Sequence, residues 1–598
     1  MGKQNSLTIS RKSLPDICIT DFEPCSSHLT NTTMSESSPP PNYYIPASVN
    51  ITSLPPEVLS KVMQWALPSA DAESGNSGET YYSQTNWLAK CMTTHSSFYN
   101  AGVPLLYRHV AFSHSLEFDR FLKSILETGY GVLVKCLDFS DFTSVGLGRT
   151  ARMNQEIQYV TAETICHALE LCPNLAEFLG SESIGMDMSA KVLTRLLSMP
   201  YLEALDFCGA THPTFTQGFI EAMNFYAQQE VYFPNLIRLS FHACSNLSDD
   251  IFQKLLPRLP NLEQLDLTHT QVKSASLLDI PASAKIKYLS LARCYHLDSQ
   301  GLLKFLVVHP ATRQLEWLSL MFEATKPSPI AARDFDIILK YLPMETLTTL
   351  NLHGCLPVNQ THLELICSLK NLESLSLGYT NIPFECLRKL LPELPHLKYI
   401  DISGNPCINQ WSIQDTALLN ANRNVEMFEI SSDVLSRLTG VRIPGFCVLQ
   451  GQGNRGWVTR GDDPPTPRRL AATGESPLSS YLHTVPQVTN NSETHATSQT
   501  VAPPKFSFSQ FAQAKIEQSS KSPPARRSPG MRPIVSTSTA SSFRKVKTPM
   551  MVLNMDMGSS IWIKASRKIN MCQVGIGGLS TSDAVKERGI YLYYAFNK

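Results

Sequence analysis

Few residue combinations in this chain have the spacing that chemistry requires. Two Cys–His neighbours, Cys91-Met-Thr-Thr-His95 and Cys166-His167, contain residue types that ligate metals. Each is a lone pair, no Cys-x-x-Cys occurs, and a structural zinc needs a full tetrahedral set, so packing is the expected role of these cysteines. Gly451-Gln-Gly-Asn-Arg-Gly456 fits G-x-G-x-x-G, which cradles a pyrophosphate only between a strand and an opening helix. Here Pro464-Pro465 arrives instead of a helix, so the glycines read as a turn. Histidines are scattered, and no serine sits in a nucleophile elbow. The expected chemistry is recognition, with no catalytic residue, no metal and no cofactor.

Recognition needs a surface, and a repeated phrase supplies one. An apolar residue, two of any type, an apolar residue, one of any type and an apolar residue recur from Val134 to Ile430. Clear copies begin at Leu202, Leu236, Leu262, Ile286, Leu315, Leu347, Leu372 and Leu397, and weaker ones at Val134, Leu175 and Val425. From Leu202 onward the steps are 34, 26, 24, 29, 32, 25, 25 and 28 residues, the spacing of a solenoid. The last apolar positions alternate as in a half-buried strand. Helical segments follow, such as Asp249 to Leu256 and Phe384 to Leu391. One strand and one helix cannot bury their own apolar faces, so the units must stack.

Alternation also says which side chains leave the sheet on its inner face. The candidates for binding another protein there are Arg238, His242, Asp266, Tyr288, Trp317, Met321, His353, Tyr399 and Asp401. Tyr288, Trp317 and Tyr399 are large aromatics, of the kind that anchor interfaces or pack against a neighbour. The charges are mixed, with few basic residues, which disfavours nucleic acid. Eight positions after the first apolar residue stand Cys244, Thr270, Cys294, Cys355, Thr380 and Asn405. The whole pattern resembles the leucine-rich repeat in its cysteine-containing variety. That resemblance implies an α/β solenoid, a curved parallel sheet with outer helices, in which the Asn, Cys or Thr bonds loop backbone between neighbouring coils.

The chain has 598 residues, 43% hydrophobic, with Lys plus Arg and Asp plus Glu at 51 each. Such a balance gives no global pull towards nucleic acid or anionic membrane. No signal segment and no apolar run long enough to span a membrane is present, so disulfides are not expected among the fifteen cysteines, several of which fall at repeat positions where a buried thiol suffices, and the expected protein is intracellular, cytoplasmic or nuclear. Residues 1–48 and 451–548 are rich in Ser, Thr and Pro, and disorder is expected there. The second stretch carries Ser/Thr-Pro pairs at Thr466, Ser476, Ser522, Ser528 and Thr548 beside basic residues, an arrangement open to phosphorylation control. Residues 549–598 end on an apolar, aromatic run. They are expected to fold back over the open C-terminal edge of the solenoid at 113–450.

Residues 49–112 differ from both neighbours. Ser53 can cap a helix that starts at Pro55-Pro56 and places Leu54, Val58, Leu59 and Val62 on one stripe. A polar interruption from Pro68 to Asn86 precedes two more helical stretches, Trp87 to Asn100 and Gly102 to Phe112. The opening Leu54-Pro55-x-Glu57-Val58-Leu59 resembles the first line of the F-box. His95-Ser-Ser-Phe98 stands where that family often has a Cys-Lys-x-Trp phrase, so Phe98 replaces the usual Trp. The interruption also lengthens the first connection. The resemblance implies a small all-α domain whose Leu54, Pro55, Val58, Leu59, Val62 and Phe98 face a Skp-type adaptor, held in turn by a cullin-RING ligase. Repeats behind an F-box imply the substrate receptor of an SCF ubiquitin ligase, acting on a still unidentified protein substrate by proximity. Two alternatives remain open at this point: the helices only cap the first coil, or the protein is a scaffold with no ligase link.

Overall fold

The computed structural model describes residues 51–67, 77–140, 142, 159–323, 325–355, 358–438, 441, 443–450 and 455–460. The expectations for residues 1–48, for the phosphorylation sites and for 549–598 lie outside the described residues. The chain divides into two compact units after Ser53. In the first, Ile51–Ser53 form a 3-10 turn. The second contains every other described element.

Three helices open that unit: α1 (Pro56–Trp65), α2 (Ser77–Met92) and α3 (Ser96–Arg108). Pro56 at the first turn of α1 loses no helical N–H bond, and Glu57 there favours the positive helix end. The N-cap position of α1 is Pro55, two residues after Ser53. The imidazole of His95 caps α3, its Nδ1 accepting the Ser97 N–H at 3.1 Å. α2 begins at Ser77, well before the expected Trp87. Its first turns lie in the stretch read as an interruption, where the sequence is polar but has no proline after Pro68. A polar helical turn shows no apolar period to read.

The sheet begins immediately after α3. Its strands are β1 His109–Ala111, β2 Cys136–Asp138, β3 Glu177–Leu179, β4 Ala204–Asp206, β5 Arg238–Ser240, β6 Gln264–Asp266 and β7 Tyr288–Ser290. They continue as β8 Trp317–Ser319, β9 Thr349–Asn351, β10 Ser374–Ser376, β11 Tyr399–Asp401 and β12 Met427–Ser431. Successive strands from β1 to β12 pair in parallel, each shifted by one coil and by no residue. Their central residues, Leu205 to Leu239 to Leu265 and onward, form one row pointing to the core. The fold is a leucine-rich-repeat solenoid. β1 belongs to a copy of the phrase that the sequence reading missed, Tyr107-x-x-Val110-x-Phe112, whose first position is a tyrosine in the last turn of α3.

Helices cover the outer side where the repeat predicted them, for example Asp249–Leu255 and Phe384–Glu393. In the first coils the core row is phenylalanine: ring centroids of Phe112 and Phe139 lie 4.9 Å apart, and those of Phe207 and Phe241 5.9 Å. Later coils use Leu267, Leu291, Leu320, Leu352 and Leu377, all at 1% exposure or less. A separate core joins the three helices through Leu59, Met63, Leu88, Met92, Ala101, Val103 and Leu105.

The far end closes by a device the sequence reading placed elsewhere. β13 (Phe446–Gln450) and β14 (Arg455–Arg460) form an antiparallel hairpin, and β14 pairs antiparallel with β12. The described strands therefore run to Arg460, beyond residue 450. Trp457 and Val458 carry it: both are fully buried, and Val458 lies in register with Phe428. Among the described residues no helix is long and apolar enough to cross a membrane.

Candidate protein-interaction surfaces

The repeat positions that hold neighbouring coils together divide by residue type. The Sγ of Cys244 donates to the Phe207 carbonyl of the previous coil at 3.0 Å, Cys294 to Leu267 at 3.0 Å and Cys355 to Leu320 at 3.2 Å. Asn405 does more, bonding Leu377 of the previous coil at 2.8 Å and Ile402 of its own at 3.1 Å. Thr270 and Thr380 each donate to a carbonyl of their own coil, Leu267 and Leu377, at 2.7 Å, and the Thr270 hydroxyl also lies 4.0 Å from the Cys294 Sγ of the next coil. The expected bond to backbone of the neighbouring coil thus holds for Cys and Asn, while the backbone bonds of Thr270 and Thr380 stay within their own coils. Burial pushes the Cys294 thiol up to about 12 and the Cys355 thiol well above its ordinary value, so both stay protonated donors. On the opposite edge a second ladder went unread: Asn235, Asn261 and Asn424 each donate to a proline carbonyl of the preceding coil, Pro200, Pro234 and Pro395, at 2.7–2.9 Å.

All nine inner-face candidates lie on the side of the sheet away from the helices, within or just after strands. They are not isolated there. His242 Nδ1 lies 3.0 Å from the Asp266 carboxylate, and His353 Nδ1 lies 3.1 Å from that of Asp401. Arg238 bonds Glu177 at 2.9 Å across β4, where Ala204 is small enough to let it pass. Tyr288 and Trp317 are register partners. The Tyr288 hydroxyl donates to Glu316 at 3.1 Å, and that of Tyr399 to Glu429. Met321 sits just beyond β8 and is buried. Exposure separates what sequence could not: Tyr288 is 38% exposed, while the other eight are each at 9% or less. Strands of neighbouring coils lie about 4.8 Å apart, so side chains on a parallel face shield one another.

The cluster around His353 is built with unusual care for space. A Cβ on Gly378 would overlap the imidazole of His353 and the carboxylate of Asp401, so only glycine lets His353 reach across β10 to β11. Asp401 also accepts from the Ser376 hydroxyl at 2.7 Å and the Ser403 N–H at 3.0 Å. Tyr379 stands beside His353, ring centroids 5.1 Å apart, and is 40% exposed. Its φ of 55° is left-handed, as are those of Ala243, His269 and Arg293 at the equivalent place in other coils. Glycine holds that position at Gly209, Gly354 and Gly404. A non-glycine there costs about 1 kcal/mol or more, and such strain concentrates at functional surfaces. Nothing in the apolar pattern marks Tyr379.

Within β1 to β12, Asp138, Glu177, Asp206, Asp266, Asp401 and Glu429 leave the strands on this side with the cation Arg238, and all of them are buried. His109 bonds Asp138 at 3.0 Å. At the position just before a strand stand Glu203, Glu263, Glu316, Glu373 and Glu426, with Arg108, Lys135, Lys287 and Lys398 at the same place in other coils. Lys287 and Lys398 pair with Glu263 and Glu373 at 3.0 and 2.9 Å.

The stripe expected on the first helix splits. Leu59 is fully buried among α1, α2 and α3, with Leu54 and Phe98 packed half-buried against that core. Val62 is half-buried, and Pro55 and Val58 are exposed. Helical spacing places Leu59 on the α3 side, in the core of the three helices. Trp65, which the stripe did not include, is 83% exposed. α1 and α2 both pack on α3, and the core they share also meets Tyr130 and Leu133 just before β2. Of the Cys–His pairs, His95 serves as a helix cap and Cys166 is buried in the solenoid core. Among the described residues no group of three or more His, Cys, Asp or Glu could hold a metal.

A leucine-rich-repeat solenoid behind a three-helix unit is the class that this fold and these surfaces define. The particular likeness is to an F-box protein of Saccharomyces cerevisiae, 27% identical over 441 residues, which cover 64% of this chain and 54% of that protein. The chain spans about half the length of that relative. No family model matches the chain. Among solved structures, one of the Rad7 and Elc1 complex in yeast aligns at 14% identity and a TM-score of 0.35, covering 57% of this chain and 88% of that one. The leucine-rich repeat-containing protein LegL7 of Legionella pneumophila aligns at 17% and 0.30, covering 46% and 95%.

Proposed function

We propose that this protein is the substrate-recognition subunit of an SCF-type ubiquitin ligase, cytoplasmic or nuclear, non-catalytic in itself. The three helices bind a Skp-type adaptor and through it a cullin-RING ligase, while the solenoid's inner face holds the target protein. The observation that carries the reading is the N-terminal unit: it has its own core around Leu59 and leaves Pro55, Val58 and Trp65 outside it. A helical cap would spend those residues on the first coil. The similarity to a yeast F-box protein supports the same reading.

The test is a pull-down of the full chain with recombinant Skp-type adaptor, beside a Val58→Asp/Trp65→Ala variant. Both residues are exposed, so the variant keeps its fold, and binding is expected to fall at least tenfold. Retention by the variant would remove the proposed face. Failure of the wild type would favour the other reading, a scaffold whose repeats bridge partners with no ligase.

A further inference from the structure

Two basic residues on the rim of the inner face have no partner inside the fold. His269 and Arg293 stand at the same place in consecutive coils, just beyond the ends of β6 (Asp266) and β7 (Ser290). Each backbone N–H donates to the following coil, His269 to the Ala292 carbonyl and Arg293 to that of Met321, both at 2.8 Å. The two residues therefore sit one strand spacing apart, about 4.8 Å. Both are half-buried. Among the described residues neither the His269 imidazole nor the Arg293 guanidinium has a hydrogen-bond or ion-pair partner, and the Arg293 Nε is buried. A charged donor withdrawn from water without an acceptor is unfavourable. The backbone adds to the cost: φ is 57° at His269 and 56° at Arg293, where glycine is the easier residue. Gly209, Gly354 and Gly404 hold this place in other coils, so the solenoid does not demand a side chain here. Strain of this kind concentrates where a side chain serves a ligand.

The surroundings suit a negative charge. Lys326 enters from the next coil, its Nζ 4.6 Å from the Tyr295 ring centre and 2.9 Å from Glu323. Glu323 is thereby paired with Lys326 and leaves Arg293 without a carboxylate. His242 and Asp266 face the same place from the coils of β5 and β6, but they are buried and bonded to each other at 3.0 Å. Burial, followed by the charge of Arg293, holds the His269 imidazole below its ordinary pKa. The ring is thus neutral near pH 7 and can take up a proton when an anion arrives.

We infer that His269 and Arg293 form an oxyanion-binding site, for a carboxylate or phosphate carried by the protein held at the inner face. The guanidinium supplies fixed charge and a fork of N–H donors, and the imidazole becomes a second charged donor beside it. The inference rests on the inner face being the binding surface, and it needs neither adaptor nor ligase.

The test uses the full chain alone, so its failure leaves the adaptor reading intact. Exchange of each histidine C2 hydrogen in D2O is followed by mass spectrometry across a pH series, which gives a titration midpoint for each ring. The probes are inorganic phosphate and acetate, with chloride at equal ionic strength as the reference. Phosphate is expected to raise the His269 midpoint by about one pH unit and to leave exposed His296 unchanged. A rise with phosphate alone assigns a phosphorylated side chain; a rise with acetate as well makes a carboxylate sufficient. An unchanged His269, or an equal rise at His296, would overturn the inference. Arg293→Gly removes the guanidinium where the backbone favours glycine, so the variant is expected to melt no lower than the wild type and to lose the phosphate-dependent rise. A rise that survives in the variant would overturn the site, and a lower melting temperature would assign Arg293 to the fold instead.

Discussion

At the scale of single residues, the protein's stability depends on how each polar group is housed. Asp187 is half-buried beside α-helical backbone, and burial, with Glu163 adding to it, raises its pKa from the ordinary 3.8 to about 6. A raised carboxyl pKa means that the folded state binds the proton more readily than the unfolded one. Stability from this group therefore falls as pH climbs from 3.8 to 6 and stays lowered above that. Asp187→Asn is expected to gain about 1 kcal/mol at pH 7.5, after discounting for partial exposure, and nothing at pH 4. Urea unfolding at the two pH values checks both arms. The inter-coil position gives a second contrast. Asn405 joins two coils, so Asn405→Ala leaves buried carbonyls of Leu377 and Ile402 without it and should cost about 1–3 kcal/mol. Thr380 serves only its own coil, so Thr380→Val should stay within about 1 kcal/mol in the same measurement.

At the scale of elements, the closing hairpin answers a problem built into the fold. Twelve parallel strands leave a last row of unpaired backbone groups, a template for aggregation. β14 takes those bonds in the antiparallel sense, which lets a short connection join it to β13. Val458→Pro would remove the N–H of a strand that is paired on both sides. The expected result is a lower melting temperature together with concentration-dependent self-association in light scattering. A monomeric variant of unchanged stability would show that the hairpin is ornamental. The hairpin was hard to foresee because its strands carry no copy of the repeat phrase and are flanked by Gly445, Gly451 and Gly453. The helix α2 was cut short for a related reason: polar turns carry no apolar period, although they can still be helical.

At the scale of the whole molecule, two cores meet at α3. That helix packs on α1 and α2 and then runs directly into β1, with Tyr107 and Tyr130 in edge contact at the join, their centroids 5.4 Å apart. The cores are separate enough to respond separately. Leu59→Ala opens a cavity in the helical core, a change that typically costs 2–5 kcal/mol. Hydrogen exchange is expected to quicken across residues 56–105 in this variant and to stay unchanged in the strands from β4 to β12, because a solenoid couples mainly nearest neighbours. Uniformly faster exchange would make the molecule one cooperative body. The same division explains why a partner could hold the helices while the repeats remain free to read another.

The repeat phrase was sufficient by itself for the solenoid, its strand register and its inner-face residues. A period repeated many times fixes which side chains are buried, and a strand's alternation fixes which are not. The leading Leu-Pro-x-Glu-Val-Leu and the cysteine ladder were legible for the same reason: both are local spacing. The tertiary structure alone decided which inner-face residues remain open, since shielding comes from neighbouring coils some thirty residues away. It also decided that Leu59 turns inward while Trp65 turns out, and that His353 reaches Asp401 over the gap at Gly378. Those outcomes depend on distances between segments far apart in the chain, and no local pattern carries them.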